Sequence, residues 1–476
     1  MSNKGKSKAA DRIAALLDES SFVEIGSLVT ARSTDFNMAE EKAASDGVIT
    51  GYGLIDGNLV YVYSQDASVL GGSIGEMHAK KIVRLYSLAM KMGAPVIGLL
   101  DSAGMRLQES TDALNAFGML YRRMAFASGV IPQITAVLGN CGGGLAVAAG
   151  MGDFVFMEGS QAKLFVNSPN ALAGNKEENT AGAQFQSEKS GLADFVGTEE
   201  EILAQIRALV SILPANNAEE APLTEAGDDL NRVCEGIEGA VGDTSILLSQ
   251  ISDGNLLCEV KSAFAKEMVT GFIKLNGATV GAIANRTEIY DDKGEKCAEF
   301  KPLLTAEGLE KAAGFVRFCD AFDIPVLSIT NAEGFYADKC NEFRIAKSAA
   351  QLTYALANAT VPKVNVITGK AFGSGYTVMN SQSIGADITF AWEDALVGMM
   401  DAKLAAGIMY DGSDAKTLNE KASEYEKLQQ SVEAAAKRGY VDTVIKARDT
   451  RKMVIGAFEM LYTKSEERPD KKHGTV

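Results

Sequence analysis

The sequence predicts an α/β protein built from two homologous domains, each a parallel sheet of βαβ units covered by helices. Three observations carry this reading. Short apolar runs alternate with helical segments of about 15 residues, the same order of elements is written twice, and residues recur at a nearly constant spacing. Thr50-Gly51-Tyr52-Gly53-Leu54-Ile55-Asp56-Gly57 returns as Thr270-Gly271-Phe272-Ile273-Lys274-Leu275-Asn276-Gly277, a shift of 220. Further on the shift settles at 230, matching Pro95-Val96 with Pro325-Val326, Gly104 with Gly334, Ile131-Pro132 with Val361-Pro362, Gly139 with Gly369 and Gly143 with Gly373.

Taken in order, the segment from His78 to Gly93 sets Ile82, Leu85, Leu88 and Ala89 at helical spacing. Pro95 to Leu100 is a short apolar run of the buried-strand type. A helix from Ala113 to Ser128, a strand from Ile131 to Leu138, a small-residue helix within Gly142 to Gly150 and a strand from Asp153 to Met157 follow. The second half repeats the order: helix Leu309 to Phe322, strand Pro325 to Thr330, helix Phe343 to Asn358 and strand Lys363 to Thr368. A glycine turn at Gly373 to Gly375 and a strand from Asp387 to Trp392 complete it. The acidic, glycine-containing stretch Asn217 to Asp243 separates the copies and places the domains at 1–235 and 236–476. Asp411 to Lys437, rich in Ala, Glu, Lys and Gln, reads as a helical arm with a solvated face, and Lys464 to Val476 as a charged, loosely held tail.

Composition narrows the function. The 46 Lys+Arg against 62 Asp+Glu give a net charge of −16 over 476 residues, which opposes nonspecific nucleic-acid or anionic-membrane binding. His78 and His473 are the only histidines, so a His triad or a multi-His metal site is excluded, and no metal is expected. The six cysteines form no CxxC pair and read as free thiols of a reducing compartment. Without an apolar leader or a run of about 18 apolar residues, the expected location is the cytoplasm.

Two motifs invite chemistry that their surroundings refuse. Gly71-Gly72-Ser73-Ile74-Gly75 fits GxSxG, but a nucleophile elbow needs a preceding strand and a downstream histidine. Ala89-Met90-Lys91-Met92 spells the tetrapeptide on which biotin is attached, yet Lys91 ends a helix and does not sit on a β-hairpin, so no covalent biotin is expected on this chain. Neither a GxxxxGK[ST] loop nor a GxGxxG after a first strand is present.

What remains are two glycine turns at equivalent places, Gly139-Asn140-Cys141-Gly142-Gly143-Gly144-Leu145 and Gly369-Lys370-Ala371-Phe372-Gly373-Ser374-Gly375-Tyr376. Each follows a strand and opens a helix. Backbone N–H groups at such a helix start point outward and can hold a developing oxyanion, and the missing Cβ lets a carbonyl approach. Two equivalent donor sets suit a reaction with two oxyanions.

These residues resemble the carboxyltransferase subunit of biotin-dependent acyl-CoA carboxylases, the propionyl-CoA carboxylase β type, and the related decarboxylase subunits. The likeness runs from Arg12-Ile13 to Lys471-Lys472-His473-Gly474. It is carried by Thr50-Gly51-Tyr52-Gly53, Gly71-Gly72-Ser73-Ile74-Gly75-Glu76-Met77-His78-Ala79, Gly93-Ala94-Pro95-Val96-Ile97-Gly98 and Asp101-Ser102-Ala103-Gly104-Met105-Arg106. Phe315-Val316-Arg317-Phe318-Cys319-Asp320-Ala321-Phe322, Ala359-Thr360-Val361-Pro362-Lys363-Val364 and Arg438-Gly439-Tyr440-Val441-Asp442 carry it in the second half.

The resemblance implies a crotonase-like fold in both domains and a homo-hexamer, a trimer of dimers, with the active site between the first domain of one subunit and the second domain of another. Acyl-CoA would sit on the first domain, its enolate held by the amides of Gly143 and Gly144. Carboxybiotin, borne by a separate biotin carboxyl carrier protein and supplied by a biotin carboxylase, would place its ureido oxygen on the amides of Ser374 and Gly375. Gly104, Tyr376 and Thr377 would line the substrate. No side-chain acid or base is required, because CO2 release, proton transfer to the biotin nitrogen and enolate attack need positioning and exclusion of water.

Several positions depart from the family. Ala103 stands where a second glycine is usual, and Ala332-Glu333-Gly334-Phe335 replaces Val-Pro-Gly-Phe. Asn341 to Gln351 lacks the glycines and histidine usual there, and Thr377 replaces an aspartate linked to acyl-chain selection. Carboxylation of an acetyl- or propionyl-CoA is the first expectation. The reverse transfer in a methylmalonyl- or glutaconyl-CoA decarboxylase, with a membrane subunit as partner, is the second. A crotonase-superfamily hydratase, isomerase or thioesterase without biotin is a further alternative, and a non-catalytic assembly subunit another.

Overall fold

The computed structural model describes residues 7–32, 43, 45–175, 178–291, 293–469 and 471. His473 and the end of the tail lie outside these residues, as do residues 1–6. The chain divides into two units, Met1–Pro222 and Leu223–Val476. The boundary expected near residue 235 therefore falls inside the second unit. The reason is visible in the bonds: Asp228 pairs with Arg232 at 3.0 Å and with Arg451 at 3.6 Å, and the Cys234 amide donates to the Arg448 carbonyl at 2.9 Å.

In the first unit, strands β1 (Val23–Glu24), β2 (Val48–Ile55), β3 (Asn58–Gln65), β4 (Val96–Ser102), β5 (Gln133–Gly142), β6 (Phe154–Glu158), β7 (Lys163–Phe165) and β8 (Phe195–Gly197) form one sheet. Its order is β1-β2-β3-β4-β5-β6-β8, with β7 paired to the end of β5. Helices α1 (Lys8–Leu16), α2 (Glu76–Met92), α3 (Ser110–Ala127), α4 (Gly144–Ala149), α5 (Ala183–Glu188) and α6 (Glu199–Ile212) accompany it. From β3 to β8 the pairing is parallel, as the alternation of strands and helices requires.

The second unit carries β9 (Leu257–Val260), β10 (Met268–Leu275), β11 (Ala278–Asn285), β12 (Glu288–Tyr290), β13 (Lys296–Glu299), β14 (Leu303–Leu304), β15 (Val326–Ala332), β16 (Gly334–Phe335), β17 (Lys363–Phe372), β18 (Ile388–Trp392), β19 (Leu396–Gly398) and β20 (Thr443–Ile445). The main sheet runs β20-β18-β17-β15-β11-β10-β9, with β19 on β17: the first sheet's order again. Its helices are α7 (Thr244–Ile251), α8 (Ala306–Ala321), α9 (Lys339–Glu342), α10 (Ile345–Asn358), α11 (Gly373–Val378), α12 (Ala402–Met409), α13 (Ala415–Tyr425), α14 (Val432–Lys437) and α15 (Thr450–Leu461). The arm expected over residues 411–437 is α13 and α14, joined by a π-helical turn, with α12 packed on α13 through Ala402, Ala406 and Ala422.

Each sheet opens with an antiparallel hairpin, β2–β3 and β10–β11. The turns are Asp56-Gly57 (φ 49° and 81°) and Asn276-Gly277 (φ 51° and 77°), the left-handed pair that two-residue hairpins use.

The duplication extends to buried polar bonds. The Gln65 side chain accepts from the Asp101 amide at 3.1 Å, and Asn285 accepts from the Asn331 amide at 2.7 Å. Asp153 accepts from the Gln133 amide and Asp387 from the Lys363 amide, both at 2.8 Å. Lys81 and Lys311, 230 residues apart, turn their buried ammonium groups onto backbone carbonyls. Lys81 reaches Ser45 at 3.1 Å and Val48 at 2.5 Å. Lys311 reaches Lys261, Phe264 and Met268 at 2.8, 2.9 and 2.6 Å.

Ser45, Lys261 and Phe264 lie in chain outside the strands, and Val48 and Met268 are the first residues of β2 and β10, so the lysine gathers carbonyls at the point where the chain enters the sheet. Lys311→Met should therefore lower the unfolding free energy of the second unit by about 2–4 kcal/mol in denaturant titrations. An unchanged midpoint would show that the carbonyls find other donors.

Candidate active site

The C-terminal ends of β5 and β17 carry the two glycine turns. In each sheet the ladder with the preceding strand shifts register just before the turn, between Leu100 and Ser102 on β4 and between Thr330 and Ala332 on β15. Past the shift the strand end keeps its pairing with β4 or β15, and on the other side a three-residue strand, β7 or β19, takes the place of β6 or β18. This offset sets a helix directly behind the strand end.

At the first turn, Gly143 has φ 62° and ψ −127°, which a residue with a Cβ rarely adopts, and a Cβ there would meet nothing within 4 Å. Its neighbours are glycines for other reasons. A Cβ on Gly142 would stand 2.9 Å from the Phe165 ring, and one on Gly144 would stand 2.8 Å from the Tyr121 hydroxyl. The Gly143 amide donates to the Phe165 carbonyl at 2.9 Å. Among the described residues, the Gly144 and Leu145 amides at the start of α4 have no acceptor. The Tyr121 hydroxyl donates to the Gly144 carbonyl at 2.6 Å.

The second turn follows the same plan, but its helix α11 begins one residue earlier in the repeat, at Gly373, after Phe372. Gly373 has φ 56°, and the Ser374 and Gly375 amides in the first turn of α11 have no acceptor among the described residues. Ser374 is exposed. A Cβ on Gly375 would stand 2.9 Å from the Cα of Gly334. Gly104, the repeat partner of Gly334, has φ 93° and lies against its own turn, where a Cβ would be 3.5 Å from the Gly142 carbonyl. Tyr376 packs on the apolar cluster around Ile367, Val397 and Val441, and burial pushes its hydroxyl pKa up. The half-buried Thr377 hydroxyl donates one helical turn back to the Gly373 carbonyl at 3.4 Å. Gly143, Gly144 and Gly104 thus meet in the first unit, and Ser374, Gly375, Tyr376 and Thr377 in the second.

The GxSxG segment is a sealed loop. Ser73 is buried, its hydroxyl taking the Arg106 Nε–H at 3.2 Å and its carbonyl the Nη2–H at 2.6 Å. Arg106 also pairs with Asp46 at 2.6 Å and Glu109 at 2.9 Å, both buried. His78 is fully buried, bonded to the Asp46 carbonyl at 2.9 Å and the Gln65 amide at 3.2 Å, and does not hydrogen-bond Ser73. Lys91 is exposed in the last turn of α2, which Gly93 ends in a left-handed conformation.

The departures are structurally absorbed. The Ala103 amide donates to the Gly71 carbonyl at 2.9 Å, and Glu333 pairs with Lys370 at 2.7 Å. The stretch 341–351 is helical and held to α8 by Arg344 on Glu307 and Glu310 and by Ser348 on Glu310. No group of three or more His, Cys, Asp or Glu among the described residues could hold a metal.

Sequence reasoning missed Phe165 and Tyr121. Phe165 ends a strand of three residues, too short for any periodic signal. Tyr121 had a signal, since it follows Phe117 by four residues on the apolar face of α3 and their ring centroids lie 6.0 Å apart.

The whole chain, residues 1–476, matches the carboxyl transferase domain family. It is 40% identical to the propionyl-CoA carboxylase beta chain of Roseobacter denitrificans over 489 residues, covering 99% of this chain and 94% of that one. It is 38% identical to the methylmalonyl-CoA decarboxylase subunit alpha of Veillonella parvula, covering 99% and 93%. The transcarboxylase 12S hexamer, solved with methylmalonyl-coenzyme A and methylmalonic acid bound, has a chain that superposes with a TM-score of 0.92 at 34% identity, over 98% of this chain and 92% of that one. Both units have the crotonase-like fold.

His78 is the titratable group whose burial has the clearest consequence. Its pKa is pushed down to about 3 by burial, against 6.5 for a free imidazole. Between these values the unfolded chain binds more protons than the folded one. Stability should therefore fall as pH drops from 6.5 towards 3, by up to about 1.4 kcal/mol per pH unit. Comparing denaturant midpoints at pH 7 and pH 5, His78→Gln should show a smaller drop than the parent chain. Equal drops in both would mean that His78 is protonated in the folded state.

Proposed function

We propose that this chain, which belongs to the carboxyl transferase family and is a biotin-dependent acyl-CoA carboxyltransferase, moves CO2 between carboxybiotin on a carrier protein and the α-carbon of an acetyl- or propionyl-sized acyl-CoA. The observation that carries this reading is the pair of equivalent strand–glycine–helix turns, each presenting at least two amides without an acceptor among the described residues. A hydratase or isomerase acting on an acyl-CoA alone would use one such turn and leave the other unexplained.

The donor set of the first turn differs by one residue from the pair implied by resemblance. The Gly143 amide is engaged by Phe165, so the enolate oxygen would be held by the amides of Gly144 and Leu145. At the repeat spacing of 230 these are the counterparts of Ser374 and Gly375, so both turns then use the same two positions. Gly143 supplies the backbone reversal that aims them.

The second turn fits a ureido oxygen: it offers two N–H donors, an exposed approach at Ser374 and no side-chain acid in hydrogen-bond contact with either amide. Carboxybiotin, when bound, supplies the carboxyl group and a ring nitrogen that can take the α-proton. The chain's own part is electrostatic. Amides at a helix start hold negative charge without a proton of their own to lose, and their positions are fixed before the substrate arrives. Gly104, Tyr376 and Thr377 are the proposed substrate-lining positions beside the two turns.

The carrier and the biotin carboxylase would be separate partners, and the assembly a hexamer like that of transcarboxylase 12S. Likeness to a methylmalonyl-CoA decarboxylase subunit supports a second reading, the reverse transfer within a membrane-bound decarboxylase. No described helix of this chain is itself long and apolar enough to cross a membrane.

Incubated with methylmalonyl- or malonyl-CoA, the purified chain should release CO2 slowly and only when free biotin is added. Equal release with and without biotin would overturn the two-hole reading in favour of a single-site crotonase. At the second turn, Ser374→Ala should keep the biotin-dependent rate within a few-fold, because the backbone N–H is the working group. Ser374→Pro removes that donor and should cost about 10²–10³ in rate, with oligomeric state and acyl-CoA affinity checked as unchanged. Equal damage from alanine and proline would assign the role to the hydroxyl.

A further inference from the structure

We infer that Tyr121 is a positioning residue for carboxyl transfer: its hydroxyl fixes and polarises the peptide that carries the second enolate-oxygen donor of the first unit. The inference rests on the donor assignment above. The Gly144 carbonyl and the Leu145 N–H belong to one peptide group. The Tyr121 hydroxyl donates to that carbonyl at 2.6 Å, so it sets the plane of the peptide and hence the direction of the N–H. Withdrawing electron density at the oxygen also strengthens the N–H as a donor, since hydrogen bonds in series polarise one another.

Three features separate this from ordinary packing. The residue at 144 must be glycine because a Cβ would stand 2.8 Å from the Tyr121 hydroxyl oxygen, so the turn is built around that atom. The Tyr121 ring is held against Phe117 on the same helix, which limits where the hydroxyl can go. The repeat partner of Tyr121 is Gln351, and the hydroxyl bond at the second turn is of a different kind: Thr377, on the turn's own helix, donates to the Gly373 carbonyl at 3.4 Å, against 2.6 Å from Tyr121 on a separate helix. The second turn also has Gly375 packed against the Gly334 backbone. The short hydroxyl bond from a neighbouring helix is therefore a feature of the first turn. Burial also pushes the Tyr121 pKa up, keeping the hydroxyl protonated and able to donate at neutral pH.

The test uses the full chain in biotin-dependent methylmalonyl-CoA decarboxylation. Tyr121→Phe should lower kcat about tenfold while leaving KM for methylmalonyl-CoA and for free biotin within twofold. Such a split marks an interaction made in the transition state and not in ground-state binding. Site-specific 3-fluorotyrosine at 121, a more acidic phenol, should keep kcat at or above the parent value near pH 7. Its rate should then fall at a lower alkaline pH than the parent's, as the hydroxyl ionises and can no longer donate. A Tyr121→Phe variant with parental kcat, or one whose loss lies in KM, would overturn the inference. Should that variant not fold, a fluorotyrosine profile superimposable on the parent's would overturn it equally. If the parent chain itself shows no biotin-dependent turnover, the function proposed above fails, and not the role of Tyr121.

Discussion

A helix whose first amides have no acceptor among the described residues is the constraint around which each unit is arranged. Several helix starts are capped by a side chain: Thr198 caps α6 with a reciprocal bond from Glu201, Thr305 caps α8, and Asp401 takes two amides of α12. At α4 and α11 no side chain caps, and the cap positions are Gly143 and Phe372. Withholding a cap costs about 0.5–2 kcal/mol at each helix. The shifted ladders, the three-residue strands and the tight glycine contacts together hold the uncapped ends in place. Stability is given up where a ligand oxygen can restore it.

What the two units share and where they differ divide along a clear line. The supports beneath the turns are duplicated in kind: lysine ammonium groups on carbonyls, an amide side chain on β3 or β11 receiving the next strand, an aspartate receiving the first amide of β5 or β17. The atoms that touch the turns are not. The first is held by an aromatic hydroxyl from α3 and a phenylalanine carbonyl, the second by Gly375 packed on the Gly334 backbone and a longer bond from the Thr377 hydroxyl of its own helix. On the proposed reading a thioester enolate and a ureido oxygen would occupy the two turns, and their different shapes would suit a duplicated scaffold with divergent contacts.

Most of the parallel core was legible in the sequence because apolar runs and helical spacing report burial directly. Strand Lys363 to Thr368 and helix Ala113 to Ser128 differ from β17 and α3 by a few residues at the ends, where side-chain pattern gives way to backbone geometry. The opening hairpins were in view as repeated Asp-Gly and Asn-Gly pairs, but the repeat drew the eye from the turn chemistry. At the site, the glycines announced the turns and left open which amides are free. That depends on the Phe165 carbonyl, supplied by a strand whose three residues carry no pattern. The contact-based division at Pro222/Leu223 differs from the boundary expected at 235 for a related reason: Asp228 and Cys234 sit in irregular chain and are tied to the second unit through single bonds that composition does not encode.

The charges in the first unit are placed so that they stay out of the reaction. Arg106 pairs with both Asp46 and Glu109 in the interior, and Ser73 and His78 are bonded into the same cluster, so the groups most able to act as acid, base or nucleophile serve to hold a loop. Neutral amides then remain as the stabilising elements at both turns. They cannot be protonated away in the physiological range, and they carry no counter-charge that a departing CoA product would have to leave behind. If, as proposed, each turn holds one negative oxygen, then holding charge with dipoles and not with a cation would keep both the forward and reverse steps open, in keeping with likeness to a carboxylase chain and a decarboxylase subunit alike.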